Sequence, residues 1–114
     1  MKYLFDEYKQ KILLENALPI TTAVLNQGTL NANYDGTLIM VVPTVEGWEP
    51  LCVLDIDYTG TLSGNQTSKI IISGAKFRYN SSTEAYELIM KIFNAASSNI
   101  TNVKFTARVL WKTP

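Results

Sequence analysis

Ile100-Thr101-Asn102-Val103-Lys104-Phe105-Thr106-Ala107-Arg108-Val109-Leu110-Trp111 is the stretch on which the fold class turns. Side chains on a strand alternate between its two faces, so Val103, Phe105, Ala107, Val109 and Trp111 share one face. Lys104, Thr106 and Arg108 share the other. One apolar face and one polar face describe a strand laid on a core with its back to water. Just before it stands Asn94-Ala95-Ala96-Ser97-Ser98-Asn99, a polar turn. Working back to Gly47-Trp48-Glu49-Pro50-Leu51, the chain is again short apolar segments broken by Gly, Asn, Ser and Thr. The expectation is a mainly β, antiparallel protein.

Upstream, Ile20 to Leu25 reads as a strand that ends in the polar stretch Asn26-Gln27-Gly28-Thr29. The Asp-Gly of Tyr34-Asp35-Gly36-Thr37 predicts a tight turn just before Leu38-Ile39-Met40-Val41-Val42. Val45-Glu46-Gly47 turns the chain into a strand from Trp48 to Tyr58. In that strand strict alternation puts Cys52, Leu54, Ile56 and Tyr58 on one face and Leu51, Val53, Asp55 and Asp57 on the other. Thr59 to Thr67 reads as a long polar turn, Lys69 to Ser73 as the start of another strand, and Gly74 as a bulge or kink before Ala75 to Tyr79.

Residues 82–93 support two readings. Ser81-Ser82-Thr83-Glu84 fits a capping box, and Tyr86, Ile89, Met90 and Phe93 fit helical spacing. The same segment alternates, with Tyr86, Leu88, Met90 and Ile92 against Glu87, Ile89, Lys91 and Phe93. The surrounding strands favour a strand here, with Asn80 to Thr83 as a hairpin loop. The stretch 19–114 then has room for seven or eight strands, about the size of an antiparallel, jelly-roll-like β-sandwich domain.

Residues 1–18 differ. Met1, Leu4, Phe5, Tyr8 and Ile12 fall within one stripe of a helix, opposite Lys2, Asp6, Lys9 and Gln10, and Leu18-Pro19 stops it. An isolated helix of about 15 residues is marginal in water, so the stripe needs a partner. Either it braces its own domain, or it forms a stem in which Leu4, Phe5, Tyr8 and Ile12 meet other copies.

Composition narrows the function classes. With 46% hydrophobic and 18% charged residues the chain is a folded protein and not a disordered one. Ten basic residues against ten acidic ones leave no net field to draw nucleic acid or an anionic membrane. No apolar run approaches the roughly 18 residues of a membrane span. Asp6 and Glu7 stand where a secretory signal carries its apolar stretch, so no signal peptide is expected. Histidine is absent, which removes the commonest general base and metal ligand near neutral pH. Cys52 is the single cysteine, so no intrachain disulfide is available, and its neighbours Leu54 and Ile56 mark it as an inert buried thiol.

Gly47, Trp48, Pro50 and Leu51, then Asn94, Ser97 and Ser98, then Ala107, Arg108, Val109, Leu110 and Trp111 form a pattern that resembles a family. It is similar to the C-terminal β-sandwich modules of tail-fibre, baseplate and tail-tip proteins of phages and prophages, especially those of Gram-positive hosts. The resemblance spans roughly residues 20–114. It implies a non-enzymatic, trimeric, tail-associated structural protein serving host-surface recognition or tail-tip assembly. It also implies other tail proteins and a cell-surface saccharide as partners. The implied location is the virion tail, or the host cytoplasm before assembly. No cofactor and no catalytic residue is carried over. Two residues depart from the pattern: Cys52 and Asp55 stand where such modules carry small or apolar side chains.

Two constellations are weighed beside the resemblance. Trp48, Tyr58 and Tyr79, with Arg78 next to the last, are the candidate ligand-binding residues, since an aromatic face can stack on a sugar as well as pack in a core. Asp55 and Asp57 place two carboxylates on one strand face about 7 Å apart, a weak candidate for a cation or for glycoside hydrolysis. A solvated strand end is the favoured reading of the pair, ahead of a cation site and of hydrolysis. From another class, a free-standing bacterial carbohydrate-binding protein fits the same residues.

Overall fold

The computed structural model describes residues 18–113. The alternating stretch becomes β7 (Ile100–Lys112), and its five predicted inward side chains are all buried. Strand β7 is paired on both sides, with β1 (Ile20–Leu30) along one edge and β3 (Glu49–Leu62) along the other. The two-residue β4 (Asn65–Gln66) hairpins onto β3, giving a four-stranded antiparallel sheet in the order β1-β7-β3-β4. A second antiparallel sheet runs β2-β6-β5, from β2 (Asp35–Val41), β6 (Ala85–Asn94) and β5 (Ile70–Asn80).

The two sheets share one apolar core. Leu38, Met40, Leu88, Met90 and Ile92 come from the second sheet, and Ala23, Phe105, Val109 and Trp111 from the first. Each large side chain removed from water there contributes about 1.5–3 kcal/mol. Trp111 crosses between the sheets: its ring meets Tyr86 edge-on at 5.8 Å, and its indole N–H donates to Thr21 Oγ1 at 2.7 Å.

The ambiguous segment is strand β6, with Tyr86, Leu88, Met90 and Ile92 inward as the alternation predicts. Helix propensity loses because β6 is the central strand of its sheet, laddered on both sides. The capping-box residues make the hairpin turn instead: Asn80 Oδ1 accepts from the backbone N–H groups of Ser82 and Thr83. The β5 bulge is also as predicted, with the register slipping between Ile72 and Gly74. Residues 1–17 of the helix predicted over residues 1–18 lie outside the described residues.

Four local expectations are corrected. Strand β1 does not stop at Leu25 but continues through Asn26-Gln27-Gly28-Thr29, where Gly28 at φ 84° absorbs a bulge. The Asp-Gly pair is not the turn: Asp35 and Gly36 already pair with Phe93 and Ile92, and the chain turns at Ala32-Asn33. A Cβ at Gly36 would lie 2.7 Å from the Tyr34 hydroxyl, so any other residue there would have to displace the end of that side chain. The stretch 59–67 is no long turn: β3 runs on to Leu62 and reverses at Ser63-Gly64, whose φ values of 51° and 81° are the pair a type I′ turn demands.

The fourth correction concerns β3. Its pairing with β7 slips between Pro50 and Cys52 and again between Val53 and Asp55, so strict alternation fails. Pro50, Val53 and Ile56 oppose the inward residues Trp111, Val109 and Ala107, giving an inward spacing of three. Cys52 opposes Leu110 on the outer face and is only partly buried, and Leu54 is exposed. Cys52 therefore does not lie on the core face with Ile56.

Candidate functional site

Strands β2 and β6 carry apolar residues on both faces, the outer one shared with Asp35, Thr37, Glu87 and Lys91. Leu38 and Met40 point into the core, while Ile39 and Val41, one residue along, point out. In β6, Leu88, Met90 and Ile92 are buried, and Ile89 and Phe93 lie on the outer side. Register aligns these outward residues across the sheet. Ile39 opposes Ile89, which opposes Lys76, and Asp35 opposes Phe93, which opposes Ile71. Ile39, Val41 and Ile71 are 42%, 60% and 47% exposed. An antiparallel sheet that meets water on one side alternates apolar and polar residues; apolar residues on both faces belong to a sheet covered on both.

This outer face is not flat. Gly74 has open space where a side chain would stand, and around it Thr37, Ala75, Lys76, Ile89 and Lys91 line an open depression of about 290 Å³. Two lysines thus share the lining with Ala75 and Ile89. At the next row, Val41–Glu87–Arg78, the carboxylate is buried and fully engaged. Arg78 donates to Glu87 Oε1 from Nε at 3.1 Å and from Nη2 at 2.7 Å, and Asn80 Nδ2 donates to Oε2 at 3.3 Å. The Arg78 hydrogen bonds first, and the Asn80 bond second, hold the Glu87 carboxyl below its ordinary pKa.

The ligand-binding candidates do not come together. Tyr58 is half-buried with its ring tilted on Phe105 at 6.4 Å, and Trp48 is packed against the core beside the turn closed by its N–H to Val45 O. Both serve the four-stranded sheet. Arg78 and Tyr79 lie on the other sheet, Arg78 held by Glu87 and Tyr79 standing edge-on to Tyr86 at 5.1 Å. Tyr79 alone presents a largely exposed ring, at 52%.

Asp55 and Asp57 do share the outer face of β3, opposite Arg108 and Thr106. Arg108 Nε donates to both Asp55 oxygens, at 3.0 and 2.9 Å, and Nη2 adds a third contact. Those hydrogen bonds lower the Asp55 pKa, so the carboxylate stays ionised and paired. Among the described residues no three acidic, cysteine or histidine side chains are grouped to hold a metal. Leu4, Phe5, Tyr8 and Ile12 lie outside the described residues.

Single-residue reasoning missed the outer face of β2-β6-β5, although its signal was present. Leu38-Ile39-Met40-Val41-Val42 lacks the polar alternate positions of a half-solvated strand, and in Leu88 to Phe93 only Lys91 interrupts the apolar run. Comparison with protein-family models, with curated proteins and with known structures gave no match.

Proposed function

We propose that this protein is a non-enzymatic assembly module of a phage or prophage tail, a jelly-roll-like sandwich that works as a trimer. The observation that carries this reading is the outer face of β2-β6-β5, where Ile39, Val41 and Ile71 remain exposed beside Ile89 and Phe93. Apolar surface of this kind, rimmed by Lys76, Lys91 and Asp35, belongs at a contact between proteins. The strand orders β1-β7-β3 and β2-β6-β5 support the jelly-roll part, because the first strand pairs with the last and the second nests inside them. The non-enzymatic part is supported by the state of the acids: Asp55 and Glu87 are tied to arginines, and the chain has no histidine to act as a base.

Within this reading, recognition of a host saccharide would fall to Tyr79, whereas assembly with copies or other tail proteins would use the apolar face. Solution mass by light scattering is the test. The wild-type chain is expected at three times its 12.7 kDa, and Ile39→Asp/Ile89→Asp, which alters only outward positions, is expected at one. A wild-type monomer at micromolar concentration would sink the trimer.

A further inference from the structure

Strand β1 stands at an open edge of the four-stranded sheet, and among the described residues it is laddered to β7 alone. From Ile20 to Asn26 that ladder runs without a slip. Its phase is fixed by Trp111 N–H, which donates to Pro19 O at 2.9 Å. In an antiparallel ladder, residues that bond to one neighbour alternate with residues that point away from it. Thr21, Ala23 and Leu25 therefore exchange both backbone groups with β7, and Ile20, Thr22, Val24 and Asn26 direct theirs to the open edge. Other edges are blunted against pairing. Outside its short pairing with β4, β3 has Pro50, register slips, Asp55 and Asp57. Strand β5 has the slip at Gly74, then Lys76 and Arg78, and β2 begins on Asp35. Strand β1 has no proline and no charged residue.

We propose that this edge takes the same edge of a second copy, the two β1 strands running antiparallel about a twofold axis at Thr22. The side chains choose that register. With Thr22 opposite Thr22, Ile20 of each copy faces Val24 of the other, and all three belong to the set whose backbone groups point to the edge. Ile20 and Val24 are 55% and 44% exposed, on the same outer face as Thr22. Pairs of β-branched residues and Thr–Thr pairs are favourable across strands, whereas an axis at Ala23 would set Ile20 against Asn26. About six backbone hydrogen bonds form, and the two four-stranded sheets become continuous. The contact goes beyond the trimer and uses the other sheet, so on a trimer it joins two trimers. It is far smaller than the roughly 1,600 Å² of a stable interface, so it forms at about 0.5 mM and not at micromolar concentration.

Light scattering of the full chain carrying Ile39→Asp/Ile89→Asp isolates this contact, because that background already lacks the face assigned to the trimer. The mass is expected to double, from one chain to two, between about 5 µM and about 0.5 mM. Thr22 is exposed, so a charge is tolerated there in the single chain. Thr22→Lys or Thr22→Glu, added to the same background, is expected to stay at one chain, since like charges meet on the axis. An equimolar mixture of the two is expected to recover the doubled mass as a mixed pair. Amide exchange reads the edge directly: Thr22 and Val24 are expected to slow about fivefold on concentrating, and Ala23 to be unchanged. A background chain that stays single at about 0.5 mM overturns the proposal. Single-charge variants that still pair, or a mixture that does not, overturn it as well.

Discussion

Asn94 carries more of the fold than any other single polar residue. It is fully buried at the end of β6, and its amide group joins two separate segments, 30–31 and 96–98. Nδ2 donates towards the carbonyls of Leu30, Asn31 and Ser98 at 3.2, 2.9 and 3.2 Å, while Oδ1 accepts from Ala96 N–H at 2.8 Å. Its own N–H donates to Tyr34 O. The β1–β2 and β6–β7 connections are thereby joined to one amide. Asn94→Ala strands buried carbonyls and an N–H, and is expected to cost about 2–4 kcal/mol in urea denaturation. Asn94→Asp is nearly the same shape but turns a carboxylate oxygen towards those carbonyls, so it is expected to give no rescue. From the sequence Asn94 is only the first residue of a polar turn. Its burial was not legible, because two of its partners lie more than sixty positions away. The same limit applies to Asp55, whose partner Arg108 is on β7.

At the scale of elements, what could be read depended on whether one residue type marks the feature. Gly74 is a bulge signal because glycine weakens a strand, and a register slip does stand there. Nothing about Leu51 or Leu54 marks a bulge, so β3 looked like an evenly alternating strand and its core face was misjudged. The slips keep β3 in step with β7, whose alternation runs unbroken from Val103 to Trp111. The β3–β4 hairpin offers a direct check on turn chemistry. Ser63 and Gly64 both have positive φ, a conformation that asparagine tolerates better than serine at the first position. Ser63→Asn is expected to raise stability by about 0.5 kcal/mol, and Gly64→Ala to lower it by about 1 kcal/mol, both measured by denaturant midpoint. Gly64 has open space around it, so the second effect isolates backbone conformation from packing.

At the scale of the whole molecule, stability depends on strands that are far apart in the chain. The first described strand pairs with the last, and Trp111, fully buried, touches the second sheet through Tyr86 and β1 through Thr21. Removing that ring leaves a cavity between the sheets, so Trp111→Ala is expected to cost about 3–5 kcal/mol. The loss is expected in one cooperative thermal transition seen equally by near- and far-UV dichroism, because both sheets share the core it vacates. The mainly β character, the inward set of β7, the strand nature of β6 and the turn at Val45–Gly47 followed from the sequence alone. They are consequences of period-two side-chain geometry and local turn sterics, which act within a few residues. The tertiary structure decided that β1 crosses its polar stretch, that Asp35-Gly36 lies in a strand, and that Cys52 faces outward. It also separated Trp48 and Tyr58 from Arg78 and Tyr79, and left apolar residues exposed on both sheets. Those outcomes depend on which strands pair and in which register, and register is set by partners across the sheet that no local stretch of sequence contains.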